Sequence, residues 1–408
     1  MKILIVKLSA IGDVIHSLPV ADYLKAAIPG LEITWVVEKT SADMVLNNPA
    51  VDEVIVFPAK QWLKDTLSGG KSWLATISDA RSFFADLRDR RFDAAIDLQG
   101  LMKSSLLCLA SGARIRVGFA GTREFAETLL THKLNVGDYF GHDVPVVELN
   151  LKLAEYSLKA LGISNALVLD RAPRFPLPQA TAESAVKLDA ALLVPGATGG
   201  DASGNAGGAS LADRLPPGTV PSGGPAPQIA LSGAVSSAGS ILNIVMIPGT
   251  TWVSKIWPAE KWVELGIALS DKYECRIILI GARSEESTNG QIAERLRVSK
   301  PELPVLDLTS KTTLLELIAL FERSDVVIGG DTGPLHLAAA TGKPRVVGIF
   351  GATPWRRNGP YGPQCRTLSL SLDCQPCYSK KCRIRTVACL TELPAEWVLT
   401  TVDELLPS

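Results

Sequence analysis

MKILIVKLSAIGDVIHSLPVA, residues 1–21, begins with an apolar run between Lys2 and Lys7, passes through a glycine-containing turn and continues with apolar residues at helical spacing. The run KILIVK (2–7) predicts a buried strand, and Val14, Leu18, Ala21 and Ile28 predict the helix behind it. LEITWVV (31–37) and EVIVF (53–57) are the next strands. Further on, 78–91 reads as helix, DAAIDL (93–98) as strand and 101–110 as a short helix. Such alternation argues for a parallel sheet wrapped by helices on both faces.

The chain has 408 residues, 41 basic and 42 acidic side chains and 47% hydrophobic content. That length accommodates more than one core. A formal net charge of −1 excludes a generally cationic nucleic-acid binder, so any anionic partner must be met locally. Mean hydropathy is +0.20, yet no stretch reaches the roughly 18 uninterrupted apolar residues of a membrane-spanning helix. Lys7 and Asp13 interrupt the opening apolar region, which favours a first strand over a signal peptide. A cytoplasmic protein is therefore expected, and seven cysteines in this length fit a reducing compartment.

Residues 196–240 break the pattern. Gly, Ala, Ser and Pro dominate there, and Asp201, Asp213 and Arg214 are the only charged side chains. So little apolar surface cannot offset the ordering entropy, which predicts a flexible insertion or linker over 191–240. It would separate a domain at 1–190 from one at 241–408. In the second, strands are expected at 241–247, 276–281, 305–308, 325–330 and 345–351. Helices are expected after Pro258, near 285–297 and around Leu314, Leu317, Ile318 and Phe321.

Ligands of open α/β sheets gather at the carboxyl ends of strands. Three polar clusters fall there. In KLSAIGDVIHS (7–17), Asp13 lands at a helix start, where a carboxylate is either a cap or a catalytic base. PGTTWVSKIWP (248–258) places Thr250, Thr251 and Lys255 before a helix, a set of donors able to hold a diphosphate or to form an ordinary loop. GGDTGPLHLAAATGKP (329–344) runs from strand-end glycines through Asp331, Thr332 and Gly333 into a helix with His336 in its first turn. Small residues there allow close approach of a phosphate to the backbone, although the segment matches neither the P-loop nor the G-x-G-x-x-G order.

Taken together, the opening motif, WVVE (35–38), DLQGLMKS (97–104), the TTxxxKxWP loop and DTGPLHLAAA resemble the ADP-heptose:lipopolysaccharide heptosyltransferases, the type I enzymes most closely. The resemblance implies a GT-B fold: two Rossmann-like domains whose parallel sheets face an interdomain cleft. It implies transfer of heptose, with inversion, from ADP-heptose to the Kdo-lipid A inner core, with no cofactor required. Carried over to this chain, Asp13 would be the base and Lys255 and Thr251, beside Thr250, would meet the diphosphate. Asp331, Thr332, Gly333 and His336 would bind the donor, and Glu285 or its neighbour Glu286 the ribose. Lys7, Lys60, Lys64 and Gln99 are the candidates for the acceptor. A base facing a leaving diphosphate is the pair that inverting sugar transfer needs, and a lysine with helix-end N–H groups can stabilise the departing charge without a metal. The acceptor implies peripheral association with the inner leaflet of the cytoplasmic membrane, for which Lys60, Lys64, Trp62 and Trp73 are candidate contacts, the tryptophans being equally suited to a core.

Cys374, Cys377, Cys382 and Cys389 form C-x2-C-x4-C-x6-C in a basic segment. Its spacing leaves a structural metal, reactive thiols and disulfides all open. This segment keeps a type II enzyme, another GT-B core-sugar transferase, or a non-catalytic metal- or redox-responsive binding protein as alternatives.

Overall fold

The computed structural model describes residues 1–67, 73–141, 143–163, 172–193, 219–221 and 241–406. The insertion expected at 191–240 lies outside these residues apart from 191–193 and 219–221, as does the side chain of Trp73. The chain divides into two compact units, one of residues 1–178 with 209–226 and the other of 179–208 with 227–408.

In the first unit the strands are β1 (Lys2–Val6), β2 (Glu32–Glu38), β3 (Glu53–Phe57), β4 (Ala94–Asp97), β5 (Ile115–Phe119), β6 (His132–Leu134) and β7 (Thr219–Pro221). They lie in the order β6-β5-β4-β1-β2-β3-β7. All pair in parallel except β7, which runs antiparallel to β3. Apart from that edge strand this is the Rossmann order, in which the chain reverses direction across the sheet between the first and fourth strands. Full burial of Ile3, Leu4, Ile5 and Val6 explains the unbroken apolar run of β1, since a central parallel strand is covered on both faces.

The second unit repeats the plan with β8 (Leu242–Ile247), β9 (Cys275–Leu279), β10 (Val305–Asp307), β11 (Val326–Gly330), β12 (Arg345–Ile349) and β13 (Cys365–Leu368), ordered β10-β9-β8-β11-β12-β13. Every pairing is parallel. Its core joins Ile244, Met246, Ile277 and Ile328 of the sheet to Trp262, Leu265 and Leu269 of the helix Ala259–Lys272 and to Val398 and Val402 of the C-terminal helix Ala395–Leu405. Trp257 and Trp262 meet edge to face at 5.0 Å, and Trp257 Nε1 donates to the Leu393 carbonyl. Such a pair adds about 1 kcal/mol beyond its buried area. It also pins the loop that carries Lys255.

One boundary moves. The helix Ala182–Leu193, placed by the sequence reading in the first domain up to residue 190, groups with the second unit. Leu188 is buried there, Lys187 pairs with Glu316 at 2.8 Å and Arg323 with Asp189 at 2.8 Å. Composition alone marks where a linker begins, whereas packing decides which core the preceding helix joins.

Candidate active site

Both switch points carry the polar clusters singled out from sequence. In the first unit, Val6 of β1 is level with Val36 of β2 and with Asp97 of β4, so the segments leaving β1 and β4 rise side by side. Gln99 binds them together: its Oε1 accepts from Leu8 N (3.0 Å) and Ser9 N (3.1 Å). Lys7 is buried and its ammonium donates to the Leu98 carbonyl at 2.9 Å, while its own carbonyl accepts from Trp35 Nε1. Beneath them the buried Asp97 carboxylate accepts from Gln99 N, Gly100 N, Ser104 Oγ and Ser105 Oγ. Burial pushes its pKa up, an effect only partly offset by those four donors.

This frame delivers Asp13 on the helix Ile11–Ile15, exposed, with Oδ2 accepting from Ala10 N at 3.2 Å. Asp13 is thus a first-turn carboxylate, as its position suggested, and it also faces solvent at the carboxyl end of the central strand. Ser17 Oγ donates to the Asp13 carbonyl, and Asn150 Nδ2 donates to the His16 carbonyl and to Ser17 Oγ, so the short helix is braced from behind.

In the second unit the loops after β8 and β11 meet on Asp331. Lys255 Nζ lies 2.6 Å from Asp331 Oδ2, Thr353 Oγ1 donates to the same oxygen at 2.6 Å, and His336 Nε2 is 3.3 Å from Oδ1. Burial by itself would raise the Asp331 pKa. The His336 bond and the Lys255 charge outweigh it and hold the carboxyl well below the usual carboxylate range. Gly330 makes the approach possible, since a Cβ there would stand 3.2 Å from the Lys255 carbonyl and 3.1 Å from Thr250 Cγ2. Thr332 and Gly333 start the helix Gly333–Thr341, whose N-terminal amides carry partial positive charge. Thr250 Oγ1 folds back on Trp252, donating to its carbonyl at 2.9 Å and accepting from its amide at 3.2 Å; Thr251 is exposed.

Glu285 sits at the end of the neighbouring β9, its carboxylate over two glycines. A Cβ at Gly249 would fall 2.0 Å from Glu285 Cδ, and one at Gly281 2.5 Å from Oε2. Burial raises its pKa, opposed by the Ala282 amide donating to Oε2 at 2.7 Å. Glu286 instead bonds Ser310 Oγ, which leaves Glu285 as the carboxylate nested against the β8 loop.

Lys60 forms an ion pair with Glu38 at 2.6 Å, opposite Lys103 on the other oxygen. Glu38 is buried, which raises its pKa, but the two lysines prevail and lower it. Lys64 is exposed on the helix Ala59–Leu67. Trp62 is partly buried in an aromatic cluster with Phe57, Phe83 and Phe84, the packing role to which its ring was also suited. Among the described residues no three His, Cys, Asp or Glu side chains are gathered as a metal-ligand set, and all seven cysteines are free. Of the four-cysteine segment, Cys374 is exposed, Cys382 Sγ accepts from Val387 N at 3.4 Å, and Cys389 packs on Gly351, where burial and the nearby Cys377, Cys374 and Cys382 push its thiol up to about 11.

Thr353, Trp252, Lys103 and Asp97 escaped the sequence reading. Thr353 follows a strand, as the other site residues do, but a lone threonine carries no distinctive signal. Only the register of β11 against β12 reveals that it reaches Asp331.

Two Rossmann-like units of this order, each with polar side chains at its switch point, define the GT-B class of fold. The profile of glycosyltransferase family 9 (heptosyltransferase) matches residues 80–199 and 230–388. The chain belongs to that family and is a glycosyltransferase. It is 26% identical over 423 residues to lipopolysaccharide heptosyltransferase 1 of Pseudomonas aeruginosa, covering 100% of this chain and 98% of the relative. Among solved structures, a family 9 glycosyltransferase from Veillonella parvula superposes with a TM-score of 0.70 at 17% identity, covering 99% of this chain and 96% of that one. The E. coli heptosyltransferase WaaC with ADP gives 0.64 at 24% identity, with both chains covered in full.

Proposed function

We propose that this enzyme transfers heptose, with inversion, from ADP-heptose to the Kdo-lipid A inner core. The observation that carries the reading is the mostly buried quartet Lys255, Asp331, His336 and Thr353 at the second switch point, beside the amino end of the helix Gly333–Thr341. In open α/β sheets this is where a nucleotide diphosphate binds. The names borne by the Pseudomonas relative and by the E. coli structure with ADP support the donor and the pathway.

Thr250, Thr251 and Lys255 meet the diphosphate, Glu285 the ribose, and Asp331, Thr332, Gly333 and His336 the sugar-phosphate end of the donor. Asp13 removes the proton from the acceptor hydroxyl. As that oxygen bonds to the anomeric carbon, the carbon–oxygen bond to ADP breaks on the opposite face, and the charge left on ADP is stabilised by Lys255 and the helix amides. Lys7 and Gln99 act by holding the loop that carries Asp13, while Lys60 and Lys64 supply charge for the anionic acceptor. Among the described residues no helix is long and apolar enough to cross a membrane. Peripheral attachment to the cytoplasmic face of the inner membrane is supported by Leu63, Leu67, Leu74 and Ile77, all exposed on the helices Ala59–Leu67 and Trp73–Asp89.

The test is heptose transfer from ADP-heptose to Kdo-lipid A by wild type and Asp13→Asn. Turnover is expected to fall roughly a hundred- to ten-thousand-fold, the usual worth of a general base, with ADP binding intact. Unchanged turnover removes Asp13 as the base, and wild-type protein inert with ADP-heptose but active with another nucleotide-sugar overturns the donor.

A further inference from the structure

The basic cysteine-rich segment has no part in the mechanism above, yet three hydrogen bonds clamp it onto the loops that build the donor site. The buried Ser254 Oγ donates to the Ser379 carbonyl at 2.5 Å, within the loop that carries Lys255. Tyr378 N donates to the Ala352 carbonyl at 2.9 Å, and Gln375 Nε2 to the Gly351 carbonyl at 2.7 Å, both within the loop that carries Thr353. These anchors fix the backbone on either side of Tyr378, so the next side chain emerges at a defined place. Lys380 Nζ lies 5.9 Å from the centroid of the Trp252 ring, and Lys255 Nζ lies 4.3 Å from the same centroid.

Two ammonium groups held against one indole repel each other. The ring quadrupole relieves part of that cost. Asp331 pairs with Lys255 at 2.6 Å, whereas Lys380 is exposed. An arrangement of two cations, one aromatic wall and one carboxylate already committed to the first cation leaves net positive charge at the mouth of the site. Such charge suits a ligand carrying more than one negative charge, each of whose anionic groups can be met by a separate cation.

We propose that the cysteine-rich segment supplies Lys380 as a second cation for the diphosphate of the nucleotide-sugar, with Trp252 as the wall shared by Lys380 and Lys255. The proposal rests on the donor reading given above. Lys380 then selects for the diphosphate over a monophosphate and helps to stabilise ADP as it departs, whereas the cysteines shape the segment that presents it. Trp252 is a positioning residue in this scheme, because it acts on both ammonium groups.

Calorimetric titration of the full chain with ADP and with AMP tests it, using wild type, Lys380→Gln and Lys380→Arg. Lys380→Gln is expected to weaken ADP binding about tenfold at low salt, the worth of one charge-assisted contact, while AMP affinity stays as in wild type. Lys380→Arg should restore most of the ADP affinity, and wild-type affinity for ADP should fall more steeply with salt than that of Lys380→Gln. An equal loss of ADP and AMP affinity in Lys380→Gln, or ADP binding equal to wild type, overturns the proposal alone. Wild-type protein that binds no ADP overturns the donor reading and this proposal with it.

Discussion

Asp331 is a single carboxylate with three partners on three different elements, and its charge state sets the electrostatics of the second switch point. Its folded pKa lies below the unfolded value, so it contributes stability above the ordinary aspartate range and loses that contribution as pH falls through the depressed value. Asp331→Asn should therefore cost roughly 3 kcal/mol at neutral pH, because it strands the mostly buried Lys255 without a counter-charge. Thermal unfolding across pH is the check. The gap in Tm between wild type and variant should persist down to about pH 4 and close only below it, and a gap that vanishes between pH 7 and 5 would show that the carboxylate is not held ionised. Sequence located Asp331, Lys255 and His336 at strand ends. That Lys7 and Gln99 serve the backbone of the Asp13 loop depends on donors and acceptors supplied 91 residues away, which local spacing does not encode.

The helices Ala59–Leu67 and Trp73–Asp89 show how one amphipathic element can serve two environments. Trp62, Phe83 and Phe84 pack together, with Phe57 beside Trp62 and Phe83, in a tilted and edge-on aromatic cluster beneath them. On the other side Leu67 is 78% exposed, with Leu63 and Leu74 each at 61%. An apolar ridge beside Lys60 and Lys64 matches the way an interfacial helix meets an anionic bilayer. Replacing Leu63, Leu67, Leu74 and Ile77 by serine should leave the aromatic cluster and the transfer to a soluble, de-acylated acceptor intact. Sedimentation with vesicles of phosphatidylglycerol and phosphatidylethanolamine should fall several-fold. Retention of full vesicle binding by the serine variant would rule this ridge out as the contact. The sequence left Trp62 equally suited to an interface and to a core, because an indole serves either; its neighbours Phe57, Phe83 and Phe84 supply the packing.

At the scale of the molecule, two parallel sheets of like order carry separate cores, one containing Leu4, Val36 and Leu107 and the other Ile244, Trp262 and Ile328. Separate cores predict separate unfolding transitions. The donor is assigned to the second unit, so scanning calorimetry with ADP at about a hundred times its Kd should stabilise one transition by about 2.7 kcal/mol and leave the other in place. Equal shifts of both transitions would place nucleotide contacts on both units. Internal repetition of fold was legible from the alternation of strands and helices on either side of the glycine-rich stretch. Membership of the helix Ala182–Leu193 was not, because an amphipathic helix declares that it has a buried face without declaring its partner.

By itself the sequence determined the class of fold, the strands, and which strand ends carry Asp13, Lys255, Asp331 and His336, since unbroken apolar runs, helical periodicity and polar residues after a strand are local properties. Tertiary structure alone decided that Thr353 reaches Asp331, that Glu285 lies over Gly249 and Gly281, that Cys389 packs on Gly351, and that Lys380 shares an indole with Lys255. The reason is physical: each of these depends on the register of neighbouring strands and on where a long loop is pinned, and both are set by contacts between residues far apart in the chain.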